Sequence, residues 1–181
     1  CVGGPENFTY INSRNADTLT DRITARVLSQ KGLQHRILPY TKRGSDERQY
    51  CSPGIDLPIG SLMRSKFHEY KEYHTSLDDL TFVRPEHMAA SFDLYKACLT
   101  AIEESQLHRA TVKCEPNLGN RGLYPTLGAT PENAHTVDLY LALLSYCDGA
   151  HDLEDITDLH GWPVEELKAA AQTLVEHGLL E

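Results

Sequence analysis

The charge of this chain is concentrated at one end, and that asymmetry limits how the polypeptide is organised. From Val137 onward there are ten acidic residues and a single base, Lys168, so this stretch carries the whole net charge of −9. Residues 1–136 hold 16 acids and 16 bases and balance. A break that sharp marks a boundary between two structural parts. The length agrees, because 181 residues make one domain, or one domain and a small second module. An apolar share of 40 % is ordinary for a globular chain and excludes a disordered one. The longest clean apolar run, Leu139–Leu144, is six residues, whereas a membrane-spanning helix needs about 20, so no membrane partner is expected. Five cysteines, an odd number with no C-x-x-C pair, argue against a disulfide framework or a structural zinc knuckle and for reduced thiols in the cytoplasm. No signal peptide is visible, and the chain opens without Met at Cys1-Val2-Gly3-Gly4, which reads as a strand already under way. It is therefore expected to be a piece of something longer.

Along the first part, a turn-rich stretch to Asn15 precedes Leu19, Ile23, Val27 and Leu28, spaced for one helical face, with Asn15 or Asp17 as cap and Gly32 as stop. Gln34–Leu38 and Ser61–Arg64 read as strands, and a helix after Pro85 carries Met88, Phe92, Tyr95 and Leu99 on one predicted inner face. This is the α/β rhythm. Two long loops, 41–60 and 65–79, separate these elements, and loops of such length are usually functional. Residues 107–135, with Pro116, Gly119, Gly122, Pro125 and Gly128, read as a surface connector. Three helices then follow: Val137–Cys147, Leu153–Leu159 and Pro163–His177, the last turning Leu167, Ala170, Ala171, Leu174 and Val175 inward. Asp148-Gly149 marks a turn, and Gly178-Leu179-Leu180-Glu181 begins a strand, the pattern of a winged helix. The predicted layout is an α/β domain over 1–106, a connector over 107–135 and an acidic winged helix over 136–181.

Chemistry-bearing residues collect in the two long loops. Several motifs are excluded at once. His68-Glu69 followed by His74 is not H-E-x-x-H, because the second His comes six residues after the first. No strand-Gly-x-Gly-x-x-Gly-helix order exists for a dinucleotide. Ser45 and Ser52 lack the nucleophile-elbow pattern, and nothing local argues for a depressed thiol pKa that would pair Cys51 with His74. The last helix offers Glu165, Glu166, Lys168, Gln172 and Glu176, which opposes a phosphate backbone, so no nucleic acid is expected as partner.

The blocks Cys1-Val2-Gly3, Ser45-Asp-Glu-Arg-Gln-Tyr-Cys-Ser-Pro-Gly54, Leu57-Pro-Ile-Gly-Ser-Leu-Met-Arg64 and Glu72-Tyr-His-Thr-Ser-x-Asp78-x-Leu-x-Phe-Val83 resemble a bacterial family of aminopeptidase-like proteins. These have a co-catalytic zinc aminopeptidase fold, an α/β sandwich related to that of glutaminyl cyclases, followed by a small winged helix. The tail Asp148-Gly-x-x-x-Leu-x-Asp-Ile156 and Leu174-x-x-His-Gly-Leu-Leu-Glu181 matches that second part. The resemblance implies a zinc metallopeptidase, a hydrolase of peptide-like or amide substrates. It implies that His74 is a metal ligand and that Asp78, four residues on, is the acceptor that holds its tautomer. It places Asp46, Glu47 and Tyr50 at the catalytic rim, with Arg48 binding substrate. There Asp46, Glu47 or Arg48 meets the substrate's charged end, and Tyr50 donates to a tetrahedral oxyanion; a loop-stapling Arg48–Asp46 ion pair is the plain alternative.

A catalytic zinc site needs about three protein ligands and a carboxylate base. In the resembled family an earlier His, a bridging Asp and a Glu-Glu pair lie upstream of Cys1, and a further Asp falls where this chain has Cys1-Val2-Gly3-Gly4. The expectation is therefore the C-terminal portion of a zinc-dependent amide hydrolase, whose attacking hydroxide is prepared by a Glu outside this chain, and which is inactive alone. The winged helix is expected to serve in a homo-oligomer or in packing within the chain, with Trp162 as an anchor. The alternative reading is a non-catalytic protein-interaction module built on the same fold.

Overall fold

Four consecutive buried residues, Phe8–Ile11, form the central strand β1 of the first part. In the computed structural model, which describes residues 1–124 and 131–181, the chain divides into two compact units, Cys1–Glu104 and Ser105–Glu181. Pro125 and Gly128, read as connector punctuation, lie outside the described residues. In the first unit β1 pairs in parallel with β2 (His35–Leu38) and antiparallel with β3 (Ser61–Arg64), giving the order β2-β1-β3. The strand expected at Cys1–Gly4 falls instead at Phe8–Ile11. Gly3 and Gly4 are bends, and Cys1 meets β3 through its carbonyl, which accepts from Arg64 N at 2.9 Å.

Alternation in β1 sets the two faces of this sheet. Phe8 and Tyr10 enter a core with Ile23, Val27 and Leu28 of α1 (Leu19–Gln30) and Leu94 and Cys98 of α3 (Pro85–Glu104). On the opposite face Thr9 Oγ1 accepts from Arg36 Nε at 2.9 Å, and the same guanidinium holds Glu69, which also pairs with Lys66. That ties the 65–83 loop to the strands. Helix α1 starts at Thr18, not at Asn15 or Asp17. Thr18 and Asp21 make a reciprocal capping box, and Gly32 stops the helix at φ +61° as expected. In α3 the inner face is Ser91, Leu94 and Cys98, while Met88, Phe92 and Leu99 are exposed. The helix is apolar on two sides, so spacing alone did not say which side the sheet covers.

The second unit is mixed as well. Helices α4 (Pro131–Tyr146), α5 (Leu153–His160) and α6 (Val164–Glu176) enclose a core that includes Leu143, Ile156, Leu167 and Leu174. Val175, expected inward, is exposed. Two strands were missed by the sequence reading: β4 (Leu107–Arg109) pairs antiparallel with β5 (Asp148–Asp152). The C-terminus joins them, with Glu181 N donating to Arg109 O and Ala110 bridging Leu180. Residues 107–124 are thus not a surface connector. They supply β4, and Leu118 and Leu123 are buried in the core of this unit. Short strands whose partner lies 40 residues away have no periodicity to betray them. Among the described residues, no helix is long and apolar enough to cross a membrane.

Two measurements check this packing. Burial raises the pKa of Asp21, but hydrogen bonds from Ser13 and Thr18 outweigh it and hold the carboxyl below its ordinary value. Its contribution is therefore complete above the unfolded value of about 3.9 and is lost as pH falls through the lower folded value. Urea unfolding should show that acid-limb loss in the wild type. Asp21→Asn should flatten it and cost about 2–3 kcal/mol at neutral pH. Thiol titration of the folded chain should find Cys1 and Cys114 fast, and Cys51, Cys98 and Cys147 slow. Burial, with the neighbouring Asp148 carboxylate, pushes Cys147 up to about 12.

Candidate functional site

The parallel strands β1 and β2 end at Ile11 and Leu38, and in open α/β sheets chemistry gathers beyond such carboxyl ends. Loop 39–60 departs from that edge. It is fastened by a bidentate ion pair, Arg14 Nε and Nη2 donating to Asp56 at 2.7 and 2.5 Å, which holds the Asp56 carboxyl below its usual range. The short helix α2 (Glu47–Tyr50) sits within it. Cys51 is fully buried and its Sγ donates to Ile59 O at 3.1 Å.

Glu47 takes a different place from the one expected. It is 4 % exposed, and its Oε1 accepts from Gly44 N at 2.8 Å and Ser45 N at 3.3 Å. Its carboxylate is spent on its own loop instead of facing a substrate's charged end. Asp46, Arg48 and Tyr50 are exposed on the same short segment. Among the described residues, no ion pair joins Arg48 to Asp46, so the stapling role falls to Glu47 and to the Arg14–Asp56 pair.

The second loop, 65–83, lacks regular structure yet has an aromatic core. His74 is exposed, at φ +59°, and its imidazole lies flat on the Tyr73 ring, with centroids 4.0 Å apart and planes 16° from parallel. Tyr73 also meets His68 edge-on at 4.8 Å and Phe67 at 6.5 Å. Tyr70 stacks on Phe82 at 5.0 Å. The left-handed backbone region is one that His adopts more readily than most residues, and at His74 it coincides with the ring stack on Tyr73. Turns Tyr73 N to Tyr70 O and Asp78 N to Thr75 O bend the backbone around this cluster.

Phe67 joins the two loops. A Cβ on Gly44 would lie 2.5 Å from the Phe67 ring, so the first loop passes directly over that ring and only glycine fits. The contacts run from Glu47 through Gly44 and Phe67 to Tyr73 and His74. The structure thus brings the expected rim segment and the expected ligand His into neighbouring loops. It does not join His74 to Asp78. Both are exposed and, among the described residues, no hydrogen bond links them. The residues that sequence reasoning missed are Gly44, Phe67 and Tyr73. The aromatic density at Phe67, Tyr70, Tyr73 and Phe82 is the signal available in the sequence, within a segment whose spacing shows only a long loop.

Zinc does not fit the donors of this chain by themselves. Among the described residues, no group of three or more His, Cys, Asp or Glu converges, against the three protein ligands such a site takes.

Residues 1–105 match the family described as a domain of unknown function, DUF4910. The chain belongs to this family. Residues 106–181 match a winged helix-turn-helix family, in accord with the second unit. Over its whole length the DUF4910 chain is 34 % identical to a Clostridium acetobutylicum protein named "Putative polysaccharide biosynthesis protein with aminopeptidase-like domain", of which it covers 42 %. It also superposes on the crystal structure of a "putative peptidase" from Clostridium acetobutylicum with a TM-score of 0.64 and 32 % identity, covering 100 % of this chain and 40 % of that one. The chain therefore spans less than half the length of the proteins it matches, and it is similar to an aminopeptidase-like, peptidase-like portion of them.

The role of Glu47 is open to a direct check. Glu47→Ala should remove the shared acceptor of the Gly44 and Ser45 N–H groups and cost about 1–2 kcal/mol. Hydrogen exchange should rise at residues 43–50 while β1 and α1 stay protected.

Proposed function

We propose that this chain is the C-terminal portion of a metal-dependent amide hydrolase of the aminopeptidase-like kind, incomplete as a catalyst without the remainder of its polypeptide. The observation that carries this reading is His74, presented to solvent on the Tyr73 ring beside the Asp46–Tyr50 segment, in a chain 34 % identical to an aminopeptidase-like relative. In this reading His74 is a zinc ligand that this portion contributes, and the other ligands come from outside it. Arg48 and Asp46 are exposed, charged and unpaired with each other, which suits recognition of a charged substrate end, and the Tyr50 hydroxyl suits donation to a developing oxyanion. In this reading the substrate class is a peptide-like or amide-bearing small molecule.

The winged-helix unit has a packing role in this reading. Glu165, Glu166, Gln172 and Glu176 stand exposed along α6, and its single base, Lys168, is bonded to Glu165 at 2.8 Å. That surface repels phosphate backbones.

The test uses the polypeptide encoded by the complete reading frame, comparing wild type with His74→Ala for metal content and for hydrolysis of aminoacyl-p-nitroanilides. Metal occupancy and kcat/KM should both fall by about two orders of magnitude or more, with an unchanged thermal midpoint. Full metal content and activity in His74→Ala would overturn the assignment of His74. A wild type with neither metal nor amide hydrolysis would favour the non-catalytic interaction module.

A further inference from the structure

Helix α3 is an amphipath with the wrong number of apolar faces for a surface helix. Its inner side, Ser91, Leu94 and Cys98, lies on the sheet. A second apolar stripe, Met88, Phe92 and Leu99, runs along the same helix and is 49 %, 65 % and 63 % exposed. These residues recur at four and seven, the spacing of a single ridge. A helix that is apolar on two sides belongs between two layers, not at a solvent boundary.

The stripe also has a definite place. Tyr95, between Phe92 and Leu99, donates its hydroxyl to Leu62 O of β3 at 2.8 Å, and Ser91 Oγ donates to Val2 O at 2.7 Å. The stripe therefore lies on the β3 side of the unit, near Val2, which is itself 39 % exposed. Strand β3 is the last strand of the sheet on that side. The outward groups of β3 are already bonded, Arg64 N to Cys1 O at 2.9 Å and Leu62 O to the Tyr95 hydroxyl at 2.8 Å, so it is the apolar helix ridge beside that strand that stands exposed on one flank of the first unit, within residues 1–104.

More than half of the length of both matched proteins lies outside the stretch that this chain covers. We infer that the Met88–Phe92–Leu99 stripe beside β3 is the docking surface for the remaining portion of the aminopeptidase-like domain, which packs an apolar layer onto α3. This rests on the reading that the chain is one portion of a longer hydrolase, and it assigns the surface through which that hydrolase is completed. The sheet face beneath α1 and α3 is already filled, and the opposite face is held by the Arg36–Glu69–Lys66 network, so neither serves.

The experiment places a single reactive thiol at Leu99→Cys, with Cys1 and Cys114 changed to Ser, in both the 181-residue chain and the product of its complete reading frame. Asp93→Cys, on the side of α3 that faces the α1 groove, is the control. Leu99→Cys should label freely in the 181-residue chain and about tenfold or more slower in the complete product, while Asp93→Cys labels equally in both. Leu99→Glu should leave the thermal midpoint of the 181-residue chain unchanged and lower that of the complete product. Equal labelling in the two forms, with the complete product still hydrolysing its anilide substrate, would overturn the docking surface and leave the functional reading intact. Protection already present in the 181-residue chain, accompanied by a dimeric sedimentation coefficient, would assign the stripe to a second copy and overturn it as well. A reading frame no longer than 181 residues would also overturn it.

Discussion

The first unit is organised around one buried carboxylate. Asp21, on the first turn of α1, accepts hydrogen bonds from the Tyr10 hydroxyl at 2.8 Å, from the Ser13 backbone and hydroxyl at 2.8 and 2.5 Å, and from the Thr18 backbone and hydroxyl at 2.9 and 2.7 Å. These bonds join the end of β1, the turn after it and the start of α1 in one network, so the direction of the helix over the sheet is decided there. Burial and the facing carboxylate push the Tyr10 hydroxyl well above its ordinary pKa, which keeps it a donor at every physiological pH. Gly60 approaches the same hydroxyl so closely that a Cβ would lie 2.0 Å from it. The chain entering β3 is therefore set by the ring that Asp21 holds.

From that anchor the two long loops receive their positions by unlike means. Loop 39–60 is tied by charge: Arg14 to Asp56 at its far end, and the buried Glu47 carboxylate to the backbone of Gly44 and Ser45. Loop 65–83 is tied by rings, with Tyr73 packed among Phe67, His68 and His74. Buried charges held by backbone N–H groups and stacked aromatic rings both restrict motion without regular secondary structure. The two loops meet where Gly44 passes over the Phe67 ring, each held by contacts of its own.

Much of the architecture was legible because it is local. Gly32 as the end of α1, the strands near 35–38 and 61–64, and the three helices of the acidic part all follow from patterns within one element. What escaped depends on partners distant along the chain. Strand β4 exists because β5, about 40 residues later, offers it a ladder. Leu118 and Leu123 read as connector residues until the helices close over them. The inner face of α3 was read as Met88, Phe92, Tyr95 and Leu99, because a helix apolar on two sides gives two periodic solutions of equal quality.

In this chain the acidity of the C-terminal part, the stop of α1 at Gly32 and the loops in which His74 and Asp46–Tyr50 reside were legible in the residues alone. Charge balance and glycine stops act over a few positions and need no fold to be read. Long-range packing sets the rest: Glu47 turns inward to bind its own backbone, His74 rests on Tyr73 apart from Asp78, and one side of α3 rather than the other meets the sheet. Those outcomes depend on which groups desolvate one another, and desolvation is a property of neighbours brought together in space.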